Sequence, residues 1–254
     1  MATDGAGLLN FRDLGGTPTA SGRLIQPGRL WRSEMLTFLS PDDMETLIAG
    51  GLSDVIDLRT DYEVAGSPSP LRARPGVAYH HFNYFPAVDE GATLAESADW
   101  DFESHDVGTA TTDDAANSFL MMLALRPDSV LAALRVIANA RGAALVHCAV
   151  GRDRTGLTVA LCLTLMGVPD DLIARDYELT ADVMDTVIER QWSDPTYADQ
   201  VGDRSLFDIR PRAASMLRLL AYLRDVHGGA LPLLRSLGWT DSDQAALEAH
   251  LLGR

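Results

Sequence analysis

Hydrophobic and polar positions divide the chain into short strand-like runs separated by stretches of helical period. Strand character falls at residues 29–33, 53–59, 77–84 and 143–146; the last, AALV, is a continuous apolar run of the kind buried on both faces of a parallel sheet. Residues 155–166 follow it and are apolar nearly all round, which predicts a central, buried helix. Ser40, Pro41 and Asp43 supply a cap, a first-turn proline and an early acid for a helix that closes at Gly50 and Gly51. Further helices are expected at 114–125 and at 129–140, the second introduced by Pro127 and Asp128 and closed by Gly142. A polar helix or two spans 169–192, and a loop follows at 194–203. Residues 209–226 place Met216, Leu217, Leu220 and Leu223 on one face, with Arg218 and Arg224 elsewhere; such a stripe reads as core before it reads as a membrane-binding face. Gly228 and Gly229 break that helix, and two short leucine-rich helices end the chain. Residues 1–10 read as a mobile lead. The whole, 1–254, is one α/β domain.

Composition changes this picture in one place. Residues 86–117 carry Asp89, Glu90, Glu96, Asp99, Asp101, Glu103, Asp106, Asp113 and Asp114 without one arginine, which marks a charge-repelling insertion. It is either a substrate-facing lid or a solvated insertion without a role. The net charge of −15 argues against nucleic acid, whose backbone needs an extended basic footprint. All 21 basic residues are arginine, a compositional bias. The two cysteines, Cys148 and Cys162, make no disulfide framework, and Cys162 on the apolar helix is a buried thiol by default. The amino terminus lacks the pattern of a signal peptide, and no apolar run is long enough for stable membrane insertion. A cytoplasmic location is the simplest expectation, with signal-independent secretion left open. His80 and His81 point to opposite faces of an extended run, so they do not form a metal site.

The chemistry concentrates in residues 143–156, AALVHCAVGRDRTG, read as strand, loop and helix. Five residues separate Cys148 from Arg154, and Gly151 lets the backbone curl so that the N–H groups of Ala149, Val150, Gly151 and Arg152 gather into one concavity. Such a nest at a helix N-terminus binds anions. The same field, with Arg152 and Arg154, favours a thiolate at Cys148 and makes it a nucleophile. Arg154 can hold two oxygens of a tetrahedral dianion in its planar fork, so the implied ligand is phosphate. A buried core thiol beside solvated arginines is the plainer alternative; the fixed offsets of His147, Cys148, Gly151, the arginines and Thr155 weigh against it.

HCAVGRDRTG resembles the signature loop of the cysteine-dependent protein tyrosine phosphatases, H-C-x-x-G-x-x-R-[ST]-G, and most of all the bacterial atypical subgroup whose loop reads H-C-x-x-G-K-D-R-T-G. NFRDLGG at 10–16, RLWRS at 29–33, DLR at 57–59 with Glu63, and residues 228–238 are similar to that subgroup in order and spacing. The resemblance implies a three-layer phosphatase fold: a small, mostly parallel central sheet flanked by helices, with a helix-rich C-terminal half. It implies activity on phosphotyrosine, with phosphoserine, phosphothreonine and phosphoinositide as further classes, and a phosphoprotein, phosphorylated lipid or small-molecule ester as partner. Inorganic phosphate is the implied product, and no cofactor is needed.

Residue by residue, the resemblance gives Cys148 as nucleophile, Arg154 as oxyanion clamp, and Thr155 as hydroxyl donor to the departing sulfur. His147 and Asp57 support the loop, and Arg12 and Arg59 join the loop residues in substrate binding. Arg12 has Asp13 as an alternative partner; Asp57 can be a structural acid and Arg59 a partner of Glu63. Asp153 is the first choice of general acid, with Asp89 and Glu90 as alternatives. No W-P-D acid loop occurs. Flanking arginines favour ionised Asp153, so an acidic activity optimum is expected. Arg152 stands where the subgroup carries lysine, which keeps the charge and changes the geometry. A silent phosphoresidue-binding module and a sulfurtransferase are the other classes; the intact His147, Cys148, Asp153 and Thr155 favour catalysis over the first.

Overall fold

A computed structural model describes residues 7–85, 114–198 and 210–253. Its strands are β1 (Arg12–Asp13), β2 (Leu30–Ser33), β3 (Leu52–Asp57), β4 (Ala78–His81) and β5 (Ala143–His147). They form one sheet in the order β1-β2-β5-β3-β4; β1 runs antiparallel to β2 and every other pairing is parallel. The helices, in chain order, are α1 (Pro41–Ala49), α2 (Asp61–Gly66), α3 (Asp114–Leu125), α4 (Pro127–Asn139), α5 (Asp153–Leu165), α6 (Asp170–Glu178), α7 (Met184–Trp192), α8 (Pro195–Ala198), α9 (Ala213–His227), α10 (Ala230–Ser236) and α11 (Asp241–Leu252). None of them is long and apolar enough to cross a membrane.

β5 is central because both of its faces are apolar. Ala144 and Val146 join a core with Leu30 and Ile56, closed by α4, α5 and the C-terminal helices. Ala143 and Leu145 join a second core with Trp31, Val55 and Leu47 of α1. Alternation along each strand therefore produces helix, sheet and helix layers. Full burial of a side chain such as Leu145 or Val146 is worth on the order of 1.5–3 kcal/mol.

Several boundaries differ from the sequence expectation. Arg12 and Asp13 form a short edge strand that the hydrophobic pattern does not mark. The lead ends early, since Asn10 is only 2% exposed. α2 was not anticipated, although its capping box is in the sequence: Thr60 Oγ1 accepts from the Glu63 N–H and Glu63 Oε2 accepts from the Thr60 N–H. The same device at Ser40 and Asp43 opens α1 as expected. The 169–192 stretch forms α6, a 3-10 turn at Leu179–Asp182 and α7. α8 replaces the start of the expected 194–203 loop. The α9 stripe packs into the core through Met216, Leu219, Leu220 and Leu223, whereas Leu217 is exposed. Residues 114–117 of the acidic stretch belong to α3, and 86–113, with Asp89 and Glu90, lie outside the described residues.

Parallel pairing aligns the strand ends. Ser33, His147, Asp57 and His81 sit in one register row at the carboxyl edge of β2, β5, β3 and β4. The loops that follow these strands therefore emerge side by side. Within the row, His147 and Asp57 are both fully buried, with His147 Nε2 3.5 Å from Asp57 Oδ2. Burial pushes the imidazole down to about 4, against the pull of Asp57.

The unfolded chain takes up a proton at His147 near pH 6.5, and the folded chain resists it until about pH 4. Stability should therefore decline as pH falls through that window, with about 3 kcal/mol as the upper contribution of this residue. His147→Gln should flatten the decline when urea midpoints at neutral and acidic pH are compared. An unchanged slope would assign it to other groups.

Candidate active site

β5 ends at His147 and α5 begins at Asp153, so residues 148–152 make the turn from strand to helix. Gly151 makes that turn possible at φ 75°. A Cβ there would lie 2.3 Å from the Ser33 carbonyl oxygen and 2.8 Å from Asn10 Nδ2, so only glycine fits. The loop's carbonyls face away from its hollow and meet donors from other elements. The Met35 N–H donates to Ala149 O at 2.9 Å, Asn10 Nδ2 to Val150 O at 2.9 Å, and Arg32 Nη2 to Gly151 O at 2.7 Å. The N–H groups of Ala149, Val150, Gly151, Asp153 and Arg154 have no acceptor among the described residues. Cys148, 3% exposed, stands at the start of this array of donors and of the α5 dipole.

Arg154 lies one residue into α5, and its guanidinium is gripped by a carboxylate from the first turn of α2, the helix that follows β3. Nη1 and Nη2 bond Glu63 Oε2 and Oε1 at 2.6 and 3.0 Å, a bidentate pair whose acid is 1% exposed. The Phe85 ring, four residues beyond β4, lies 5.6 Å from the guanidinium carbon. Burial would lower the Arg154 pKa, but Glu63 and the nearby Cys148 sulfur more than offset it and hold the group firmly protonated. In Glu63, burial pushes the carboxyl up while Arg154 and the Thr60 N–H hold it below its usual range. Thr155 Oγ1 is buried without a hydrogen-bond partner among the described residues, at the helix turn that follows Arg154.

Asp153 accepts from Arg152 Nε at 2.8 Å and from the Tyr177 hydroxyl at 2.9 Å, one bond on each carboxylate oxygen. Burial, and then Asp153, push the Tyr177 phenol up, so the hydroxyl stays a donor. Arg59 is fully buried and pairs with Asp57, not Glu63: Nη2 meets Oδ2 at 2.7 Å, Nε spans both oxygens, and Nη1 donates to Ser67 O. Burial raises the Asp57 carboxyl, and contacts with His147, Arg59 and the Tyr79 hydroxyl outweigh this and hold it low. Arg12 pairs with Asp176 at 2.6 Å instead of Asp13, and its Nη1 donates to Asn10 Oδ1 at 2.6 Å. Asp13 instead caps the Gly15 and Gly28 N–H groups. His80 and His81 have separate partners, Asp54 Oδ1 and Arg59 O.

The structure thus brings His147, Cys148, Ala149, Val150, Gly151, Arg152, Asp153, Arg154 and Thr155 together, with Asp57 and Arg59 behind them at the β3 end. The guanidinia of Arg12 and Arg59 are engaged by carboxylates and carbonyls of the protein. Asn10, Arg32, Phe85, Asp176 and Tyr177 also stand at the site and carry no role in the sequence reading. Asn10 and Arg32 were visible in the NFRDLGG and RLWRS stretches, whereas nothing local distinguishes Asp176 and Tyr177.

The pattern of the tyrosine phosphatase family matches residues 3–253. Over 187 residues the chain is 32% identical to the triple specificity protein phosphatase PtpB of Mycobacterium tuberculosis, covering 67% of this chain and 66% of that protein. It is 27% identical over 248 residues to a tyrosine-protein phosphatase of Nostoc commune, covering 92% of this chain and 78% of the other. A putative tyrosine-protein phosphatase of Cupriavidus necator is 31% identical over 174 residues, covering 67% and 59%. The chain therefore spans less than two thirds of the Mycobacterium and Cupriavidus proteins, 66% and 59%, and the match across 3–253 places it in the tyrosine phosphatase family.

Proposed function

We propose that this chain hydrolyses phosphomonoesters, phosphotyrosine first among them, through a phosphocysteine intermediate. The observation that carries the reading is the loop itself. Its carbonyls are bonded outward, the N–H groups of Ala149, Val150, Gly151, Asp153 and Arg154 have no acceptor among the described residues, and Cys148 lies close enough to Arg154 to act on its charge. An oxyanion with three equatorial oxygens suits that arrangement.

In the first half-reaction the Cys148 sulfur attacks phosphorus in line. An S–P bond forms, the P–O bond to the leaving group breaks, and Asp153 gives the departing oxygen its proton. Arg154, fixed in orientation by Glu63, and the loop amides take the charge on the equatorial oxygens. In the second, water attacks the phosphocysteine while Asp153 takes up its proton. The S–P bond breaks, inorganic phosphate leaves, and the Thr155 hydroxyl, otherwise without a partner among the described residues, donates to the leaving sulfur. Asp153 suits proton transfer by position, because Arg152 and Tyr177 fix both oxygens beside the loop.

The relatives' names mention tyrosine and triple specificity, which supports phosphoproteins as the first substrates to test. Inositol lipids form a second class, for which Arg152 supplies the positive charge at the position where the subgroup has lysine.

Wild-type protein should release phosphate from an aryl phosphate with chelator present, and Cys148→Ser should release none. Equal release by both would remove the phosphocysteine route, and no release by either would leave a binding module or a sulfurtransferase. With a poor leaving group, Asp153→Asn should lose roughly a hundredfold or more in kcat. A loss of only a few-fold would move the proton transfer to another acid.

A further inference from the structure

An anion cup of backbone amides works only if each peptide plane is turned the right way, because a planar peptide points its C=O and the next N–H in opposite directions. Fixing the carbonyl of one residue therefore aims the amide of the following residue. In this loop the Ala149 carbonyl is fixed by a backbone donor, Met35 N–H. The next two carbonyls depend on side chains. Asn10 Nδ2 holds Val150 O at 2.9 Å and reaches Gly151 O at 3.4 Å, and Arg32 Nη2 holds Gly151 O at 2.7 Å. Those two peptide planes carry the amides of Gly151 and Arg152.

The donors are themselves ordered. Asn10 Oδ1 receives Arg12 Nη1 at 2.6 Å and Thr180 Oγ1 at 3.3 Å; a guanidinium has no acceptor, so the amide oxygen must face it and the NH2 group must face the loop. Glu34, 1% exposed, receives the Leu9 and Asn10 N–H groups on its two oxygens at 2.6 and 2.7 Å and pins the backbone of the same segment. One carboxylate of α6, Asp176, pairs with both Arg12 and Arg32. It thereby orders the arginine that orients Asn10 and the one that holds Gly151.

We propose that Asn10 and Arg32 are positioning residues that turn the 150–151 and 151–152 peptide planes so that the cup, with the Gly151 amide in it, faces the phosphoryl oxygens, with Asp176 setting both residues through Arg12 and Arg32. The inference rests on the loop being an oxyanion site, as the proposed function requires. Neither residue touches substrate; they act through the peptide planes. Asn10→Asp keeps the size and the Arg12 contact but sets an acceptor against two carbonyls, and Arg32→Lys keeps a charge for Asp176 while losing the second branch of the fork.

Tungstate, a phosphate mimic, serves as the probe. Calorimetric titration reads the cup without relying on turnover, and kcat and KM on an aryl phosphate are read beside it. Both variants are expected to bind tungstate about tenfold or more weakly and to lose kcat by at least as much, with KM changing less and the thermal midpoint held within a few degrees. Tungstate affinity and kcat at wild-type levels, with or without a lowered midpoint, would reduce the cluster to a structural one and overturn the proposal. Should one variant fail to fold, the other carries the test alone. Wild-type protein that binds tungstate but releases no phosphate would refute the hydrolase reading while leaving the aiming of the amides measurable.

Discussion

Buried positive charge has to be matched, and the region around the loop is organised by that requirement. Arg154 is held by Glu63, Arg59 by Asp57, Arg152 by Asp153, and Arg12 and Arg32 share Asp176. An isolated guanidinium in such surroundings would cost several kcal/mol, so each pair fixes its members in one place. Among the described residues of this cluster, five guanidinium groups face four carboxylates, a local excess of positive charge in a chain whose net charge is −15. A dianion can therefore be attracted to this cleft although the molecule as a whole repels it.

Sheet topology determines where these pairs meet. Parallel pairing of β2, β5, β3 and β4 delivers Glu34, the 148–152 loop, Glu63 and Phe85 from four separate strand ends to the same edge. The two apolar faces of β5 clamp the strand from both sides, so the residue that follows His147 emerges from a rigid support. The three-layer architecture and the loop are thus linked: the first provides the firm base that the second needs for its amides to act without reorganising.

The loop was readable because its distinctive residues are local, with the cysteine, turn glycine, aspartate and arginine all between His147 and Thr155. Partner choice was less readable. Arg59 has an acid two residues before it and another four residues after it, and only the geometry of β3 running into α2 decides for Asp57 and frees Glu63 for Arg154. Asn10 belongs to a polar, glycine-containing lead that gives no hint of burial, because what buries it is the far end of the chain's own active loop. Asp176 and Tyr177 fall in an unremarkable amphipathic helix, and their sequence spacing from the loop carries no information about contact. The strand at Arg12–Asp13 is too short to show a period.

The site joins distant parts of the chain. Asn10 meets Val150 across 140 positions, Arg12 meets Asp176 across 164, and Glu63 meets Arg154 across 91. Contacts of that separation close large loops and form late in folding. During synthesis, Arg12 and Arg32 must wait for their Asp176 partner on α6, more than 20 residues after Cys148 itself. A chain that already carries the sulfur therefore still lacks the contacts that join Asn10 and Arg12 to the loop and to α6 until both ends of the domain have closed on one another.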